Sequence, residues 1–502
     1  MEQSTTKRSS FTGKIGFVLA AAGSAVGLGN LWRFPYLAAQ YGGGIFILVY
    51  VLLAISFGFV LMMAEIAIGR KTRKSAIDAY ASLDKRFTFV GWLTAIVPMI
   101  ILPYYSVIGG WVMKYIFGTA TGAAFAEQSN GNSYFSNFIG DTWDPLIWFG
   151  IFALITAVVV FFGVEKGIEK FSKFMMPALI VFIVGIVIYI LCYYSQAGNS
   201  VNSIWEGVKY YLMPDFKKFS VMTVVAALGQ LFYSMSLAMG IMITFGSYMK
   251  KDISIEKSIH QVEIFDTGVA LLSGLMIVPV VFAVSPENIE KSGPGLMFEV
   301  LPEIFGKMGV SGRIIGAVFF IMVLLAALTS SISLMETVVS IVMDKTKLSR
   351  KISCVIVFGG MLVLGVPSAL GFNVLSWLQI IKGMDILTFF DFISNSIIMP
   401  IIAIITCIFV GYFIKPKTII EEAGIANKPF TAKMFTIVIK FIAPVCLAVI
   451  LFSSIVQTFG IHVPIINPKK EISTEEVTDT EADAEVDAEN SALDDVTFEE
   501  SK

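Results

Sequence analysis

Apolar runs of about 20 residues recur eleven times along this chain. They lie at roughly 13–38, 43–69, 88–117, 146–163, 171–193, 219–249, 261–285, 310–343, 353–371, 385–413 and 434–459. Each is long enough to cross a bilayer as a helix. In lipid only helices or closed barrels satisfy every backbone polar group. The repetition therefore restricts the chain to a bundle of membrane-spanning helices. A hydrophobic share of 56% and a mean hydropathy of +0.79 exclude a soluble globular domain. The opening MEQSTTKRSS leads into a long span, not into a short apolar core with a cleavage site, so no cleavable signal is expected.

The first run is interrupted where a plain helix should continue. In AAAGSAVGLGNLWRFP, Ala20 to Pro35, Gly23, Gly27 and Gly29 crowd the middle, and Asn30 and Arg33 follow. Glycine weakens a helix interior by roughly 1 kcal/mol relative to alanine. Backbone groups freed inside a bilayer find no water, so a span built to break offers them to an ion or a polar substrate. A second interruption comes five helices later, in FYSMSLAMG, with Ser234, Ser236 and Gly240 in mid-span. Spans one and six are matching first members of two five-helix halves. Five is odd, so the halves insert in opposite orientations. This pattern predicts an all-α, five-plus-five inverted-repeat transporter with its site at the midplane. Close helix packing by glycine is the plainer alternative.

Lys and Arg in short loops predict the topology. Arg70, Lys71, Arg73, Lys74, Lys85 and Arg86 follow span two, Lys166, Lys170 and Lys173 follow span four, and Lys345, Lys347, Arg350 and Lys351 follow span eight. The 118–145 loop has none. Even-numbered loops and the N-terminus, with Lys7 and Arg8, are thus expected in the cytoplasm. Residues 471–502 hold thirteen Asp/Glu and one Lys, a local charge of −12 against −2 for the whole chain, which leaves +10 elsewhere. This tail should be solvated and disordered. Cys192, Cys354, Cys407 and Cys446 lie in or beside apolar runs and read as packing residues. His260 and His462 are far apart, which leaves a histidine-based catalytic or metal site little to work with.

Charges inside spans must pair, bind an ion or face water. Glu65 and Glu336 are read as structural acceptors for donors freed at the two breaks, and Asp266 and Asp391 as functional candidates. Span eight adds a dense run of hydroxyls, Thr329, Ser330, Ser331 and Ser333. Such hydroxyls can simply bond their own helix. Beside freed carbonyls they also form a hard-oxygen cage suited to a small alkali cation.

At these residues the chain resembles the neurotransmitter:sodium symporter family, with the leucine-transporter fold. AGSAVGLGNLWRFPY, YGGG at 41–44 and EIAIGR at 65–70 are similar to that family's first two helices. GQLFYSMSLAMG resembles its sixth helix and AALTSSIS its eighth. The resemblance covers about residues 8–460 and is nearer to the bacterial eleven-helix members than to the twelve-helix animal carriers.

The resemblance implies two sodium sites. The first would use the Ala25 carbonyl, Asn30, Ser234, Asp266 and the substrate carboxylate. The second would use the carbonyls of Gly23, Val26 and Ala326 with the Thr329 and Ser330 hydroxyls. The substrate carboxylate would meet the Leu28 and Gly29 N–H groups and Tyr105. Its ammonium would face the Ala25, Tyr233 and Ser234 carbonyls, with Ser236 nearby. Ile101, Tyr105, Tyr233, Met239, Ser333 and Leu334 would line the side-chain pocket. Ser24 stands where amine-specific carriers have an aspartate, which favours an amino acid over a decarboxylated amine. Asp266 stands where the chloride-dependent pattern has Asn, and Ala270 where it has Ser one turn on, so no chloride is expected. Arg33 and Asp391 would close the outer side as a direct or water-mediated pair. Arg8 and Asp344, with Phe11 and Tyr248, would close the inner side.

The expected organisation is a cytoplasmic segment 1–12, a first repeat 13–193, an extracellular connection 194–218 and a second repeat 219–413. A cytoplasmic loop 414–433, helix eleven at 434–459 and the acidic tail 460–502 complete it. The expected activity is sodium-coupled import of a hydrophobic L-amino acid, aromatic or large aliphatic, across a bacterial inner membrane. The protein would act as a monomer or weak oligomer, with no nucleic-acid partner. Import of another zwitterion or an amine, or substrate sensing on the same fold, is the alternative. A channel would need a continuous polar pore and an enzyme a catalytic constellation; the sequence offers neither.

Overall fold

The computed structural model describes residues 10–125, 133–196, 202–286, 294–459 and 461. Helices α1 (Lys14–Ala25) and α2 (Gly29–Gln40) form one span bent by 53° at its break. Helices α3 (Gly44–Thr72), α4 (Lys85–Thr121), α5 (Asp144–Phe161) and α6 (Val164–Tyr194) follow. A short amphipathic helix, α7 (Ile204–Leu212), precedes α8 (Val221–Ser234) and α9 (Ile241–Tyr248). The chain continues through α10 (Ile255–Val284), α11 (Val310–Thr346), α12 (Arg350–Leu370), α13 (Ile386–Phe413), α14 (Pro416–Ala423) and α15 (Pro429–Thr458). Among the described residues nine helices are long and apolar enough to cross a membrane, and the bent pair makes a tenth. The sixth apolar run is split into α8 and α9 across residues 235–240.

By internal contacts the chain divides after Ile455. The first unit, Met1–Ile455, contains every site element discussed below. The described part of the second unit is Val456–Phe459 and Ile461; within it α15 ends at Thr458, and the Ile461 N–H donates to the Val456 carbonyl at 3.0 Å. Arg8 and the acidic tail lie outside the described residues.

Glycine sets how closely the breaks can be held. A Cβ on Gly69 of α3 would run into the Ile243 carbonyl of α9, and a Cβ on Gly246 of α9 into the Ile66 carbonyl of α3. Backbone meets backbone on both sides, so neither helix can give way by rotating a side chain. Gly69→Ala is expected to destabilise the protein by about 3 kcal/mol, the upper range for overpacking. Gly359→Ala, where a Cβ meets nothing within 4 Å, is the matched control. Thermal unfolding in detergent reads the difference, and equal midpoints for the two variants would refute the close contact.

Candidate ion and substrate site

The two interruptions face each other in the bundle. The Ser236 hydroxyl donates to the Ser24 carbonyl at 2.9 Å, Ser24 Oγ to Ser236 Oγ at 3.2 Å, and Gln230 Nε2 to the Gly29 carbonyl at 2.9 Å. Ser236 and Ala238 hold left-handed φ angles of 53° and 59°, a strain of roughly 1–2 kcal/mol each for residues with a Cβ. Buried Glu65 on α3 accepts the Ala238 N–H at 2.7 Å, so it serves a donor freed at the break, as its sequence position suggested.

Glu336 differs from that expectation. It accepts no donor from either break. Tyr248 donates to its Oε1 at 2.7 Å, and Arg350, at the start of α12, closes on both its oxygens. The charge partner of Glu336 is thus an arginine at the head of the next helix, counted from sequence only as a loop charge.

Four expected ion ligands converge beside the breaks. Ser234 Oγ donates to Asp266 Oδ1 at 2.6 Å. Asn30 Nδ2 lies 2.8 Å from the same oxygen and 3.2 Å from Ser234 Oγ. Ala25 lines the adjoining cavity with Ser234. Asn30 Oδ1 accepts the Gly27 N–H at 3.1 Å. A half-turn of the amide would point that oxygen at the carboxylate cluster and complete an all-oxygen donor set for a hard cation. Tyr50 of α3 donates to Asp266 Oδ2 at 3.1 Å. Nothing in the sequence flagged this tyrosine beyond its polar tip inside an apolar run.

The second expected set also gathers. Ser330 Oγ of α11 lies 3.4, 3.2 and 3.3 Å from the carbonyls of Gly23, Ser24 and Val26. Thr329 Oγ1 donates to the Ala326 carbonyl at 3.0 Å. A Cβ on Gly23 would sit 3.1 Å from Thr329 Cβ, a tight contact, so glycine eases the approach of α1 to α11.

Between these sets lies a cavity of about 40 Å³. Ser24, Ala25, Leu28, Gly29, Ile101, Tyr105, Tyr233, Ser234, Ser236, Met239 and Leu334 line it, joined by Gly27, Ile241 and Ser330. Ser333 does not; its hydroxyl donates to the Thr329 carbonyl of its own helix at 2.9 Å. The Leu28 N–H, just before α2, reaches the Tyr105 hydroxyl of α4 only at 3.5 Å, a long and weak hydrogen bond.

A larger cavity of about 320 Å³ lies beyond, and Arg33, Tyr104, Tyr233, Asp391 and Asn395 are among its walls. Arg33 and Asp391 make no direct ion pair. The Arg33 guanidinium sits 5.2 Å from the Tyr233 ring centre, while Asp391 Oδ1 accepts from Tyr104 at 3.0 Å and Asn395 at 2.6 Å. Tyr104 and Asn395 were not singled out from sequence. At the opposite end the described residues pack closely. Phe11 is fully buried against Phe17, Phe245 and Tyr248, and its N–H donates to the Tyr248 carbonyl at 3.2 Å. Glu169 of α6 holds the next residue, accepting the Thr12 N–H at 2.8 Å. Asp344 accepts the Ser75 N–H at 2.8 Å.

Known proteins share this sequence and architecture. The model of the sodium:neurotransmitter symporter family matches residues 8–138 and 137–463. A sodium-dependent transporter of Bacillus subtilis (strain 168) is 34% identical over 451 residues, which are 88% of this chain and 96% of that protein. The sodium-dependent serotonin transporter of Drosophila melanogaster is 28% identical over 378 residues, 66% of this chain and 59% of that one. Among solved structures, MhsT in complex with L-phenylalanine superposes with a TM-score of 0.79 at 35% identity, covering 89% of this chain and all of that one.

Proposed function

The chain belongs to the sodium:neurotransmitter symporter family, and from that premise we propose that it imports a hydrophobic L-amino acid without chloride. It is a multi-pass, sodium-dependent symporter by family. The observation that carries the substrate reading is the pairing of a neutral Ser24 with the Leu28 N–H and the Tyr105 hydroxyl, which meet only at 3.5 Å beside the cavity. An amine would find no carboxylate on α1. An amino acid brings its own, which can take the Leu28 and Gly29 N–H groups at the positive end of a half-helix. The ammonium then faces the Ala25, Tyr233 and Ser234 carbonyls, and Ile101, Met239 and Leu334 receive an apolar side chain. The L-phenylalanine bound to MhsT supports that choice of class.

Sodium and substrate are coupled because the substrate carboxylate completes the ion site built on Asn30, Ser234 and Asp266. Each raises the other's affinity by the same factor. The Asp266 carboxylate supplies the negative charge beside this ion, which removes the need for a chloride. Ser330 and Thr329 tie a second ion to α1, so its release on the low-sodium side frees α1 from α11. Each unit charge carried inward gains about 2.3 kcal/mol per 100 mV.

The test is uptake into proteoliposomes of labelled leucine, phenylalanine, tyrosine, tryptophan and serotonin, with inward sodium or potassium gradients, each with and without chloride. Saturable, sodium-driven accumulation of an amino acid that ignores chloride is the expected result. Uptake of serotonin alone, or a chloride requirement at saturating sodium, overturns the reading.

A further inference from the structure

We infer that the face formed by α7 and the turn after it binds the headgroup of a zwitterionic phospholipid bearing a primary ammonium. A pocket of about 270 Å³ opens there beside the turn joining α2 to α3, lined by Gly42, Glu206, Lys209, Tyr210, Asp215 and Lys218 among others. It brings two cations and two carboxylates together. None of the four charged side chains forms an ion pair among the described residues. Tyr210 is fixed in the floor: its hydroxyl donates to the Ala39 carbonyl at 2.6 Å and its ring stacks on Phe282. Lys218 Nζ lies 4.5 Å from that ring centre.

The chemistry selects a ligand with both signs of charge. A phosphate diester fits Lys209 and Lys218. A primary ammonium has N–H groups to give Glu206 and Asp215, whereas a choline trimethylammonium has none. Exposed apolar side chains on the same segment identify the source as bilayer lipid rather than a free solute. Trp205, Met213, Phe216 and Phe219 are each more than half exposed. They sit between the end of α6, a spanning helix, and the start of α8, the first half-helix of the split sixth run, where exposed aromatic side chains mark the membrane interface. Gly42 has a φ of 97°, and Tyr41 beside it offers its carbonyl to Thr223 of α8 at 3.5 Å. A headgroup seated here therefore braces α2 against α8, the two half-helices that flank the substrate.

The full chain, purified in detergent, is incubated with equal amounts of phosphatidylethanolamine, phosphatidylcholine and phosphatidylglycerol, and retained lipid is counted by native mass spectrometry. Phosphatidylethanolamine is expected to be retained about fivefold over phosphatidylcholine, the scale of one partly exposed charge contact. Glu206→Gln/Asp215→Asn should erase that preference, and Lys209→Ala/Lys218→Ala should reduce retention of all three lipids. Unfolding midpoints in lipid-free detergent show whether each variant keeps its fold. Equal retention of the three lipids by the wild-type chain overturns the proposal, as does a preference that survives both double variants. Full displacement by equimolar soluble phosphoethanolamine overturns the assignment to lipid. None of these readouts depends on transport, so they stand apart from the substrate reading.

Discussion

Asp266→Asn is expected to weaken the sodium dependence of substrate binding by roughly 10²-fold, the equivalent of about 3 kcal/mol for removing one charge from a buried pair. The carboxylate is 1% exposed and engages Ser234, Asn30 and Tyr50 together. Asparagine keeps the shape and one acceptor, so the fold should persist while the cation loses its fixed counter-charge. Labelled-substrate binding across a sodium titration measures the change. A second variant sharpens the test. Asp266→Asn with Ala270→Ser restores the hydroxyl that the chloride-dependent pattern carries one turn on. It should gain a chloride stimulation that neither the wild type nor the single variant shows. An Asp266→Asn protein with wild-type sodium affinity would remove the basis for chloride independence.

Arg350→Ala should open the end that the loop charges assign to the cytoplasm. Glu336 is completely buried, and Arg350 retains only 18% side-chain exposure. Removing one partner of such a pair typically costs 3–5 kcal/mol, because the other charge is left stranded. Arg350 also donates to the Val160 carbonyl of α5 at 3.1 Å, and Glu336 holds the Tyr248 hydroxyl, so the loss reaches α9. Amide exchange at Phe11 is the direct readout, since its N–H is held by the Tyr248 carbonyl. It should accelerate about 10²-fold, and sodium-driven accumulation should collapse through leak. Replacing both partners by apolar residues, Glu336→Leu with Arg350→Met, should recover most of the stability. Unchanged Phe11 exchange in Arg350→Ala would show that this ion pair does not hold the gate.

The sequence revealed the breaks more readily than their bracing. Glycine at 23, 27 and 29 and the small polar run through Ser234 and Ser236 point to freed backbone, because close packing alone does not call for polar side chains beside the glycines in mid-span. Eleven of the twelve side chains expected around a substrate surround one cavity. Ser333 is the exception, since a serine inside a helix can always turn to its own carbonyls. Partners distant in sequence were harder to see. Tyr50 reaches Asp266 across 216 positions, Glu169 reaches Thr12 across 157, and Tyr104 reaches Asp391 across 287. No local periodicity encodes such meetings. Arg33 illustrates the reverse difficulty: its expected partner Asp391 shares the outer cavity but spends its oxygen on Tyr104 and Asn395.

The backbone-to-backbone seam at Gly69 and Gly246 determines how much of the molecule must travel together. α9 is only eight residues long and could be pictured as a small flap swinging on residues 235–240. The seam forbids that picture, because a tilt of α9 drags the adjoining half of α3 along as one blade. Phe11, clamped to Tyr248, rides at the blade's tip. In the proposed transport cycle, a stroke that exposes the second ion set would be absorbed higher up, near Ala54–Gly58, where α3 departs from regular α-helical geometry. Stiffening that stretch should slow the carrier without touching a single residue that meets substrate or sodium.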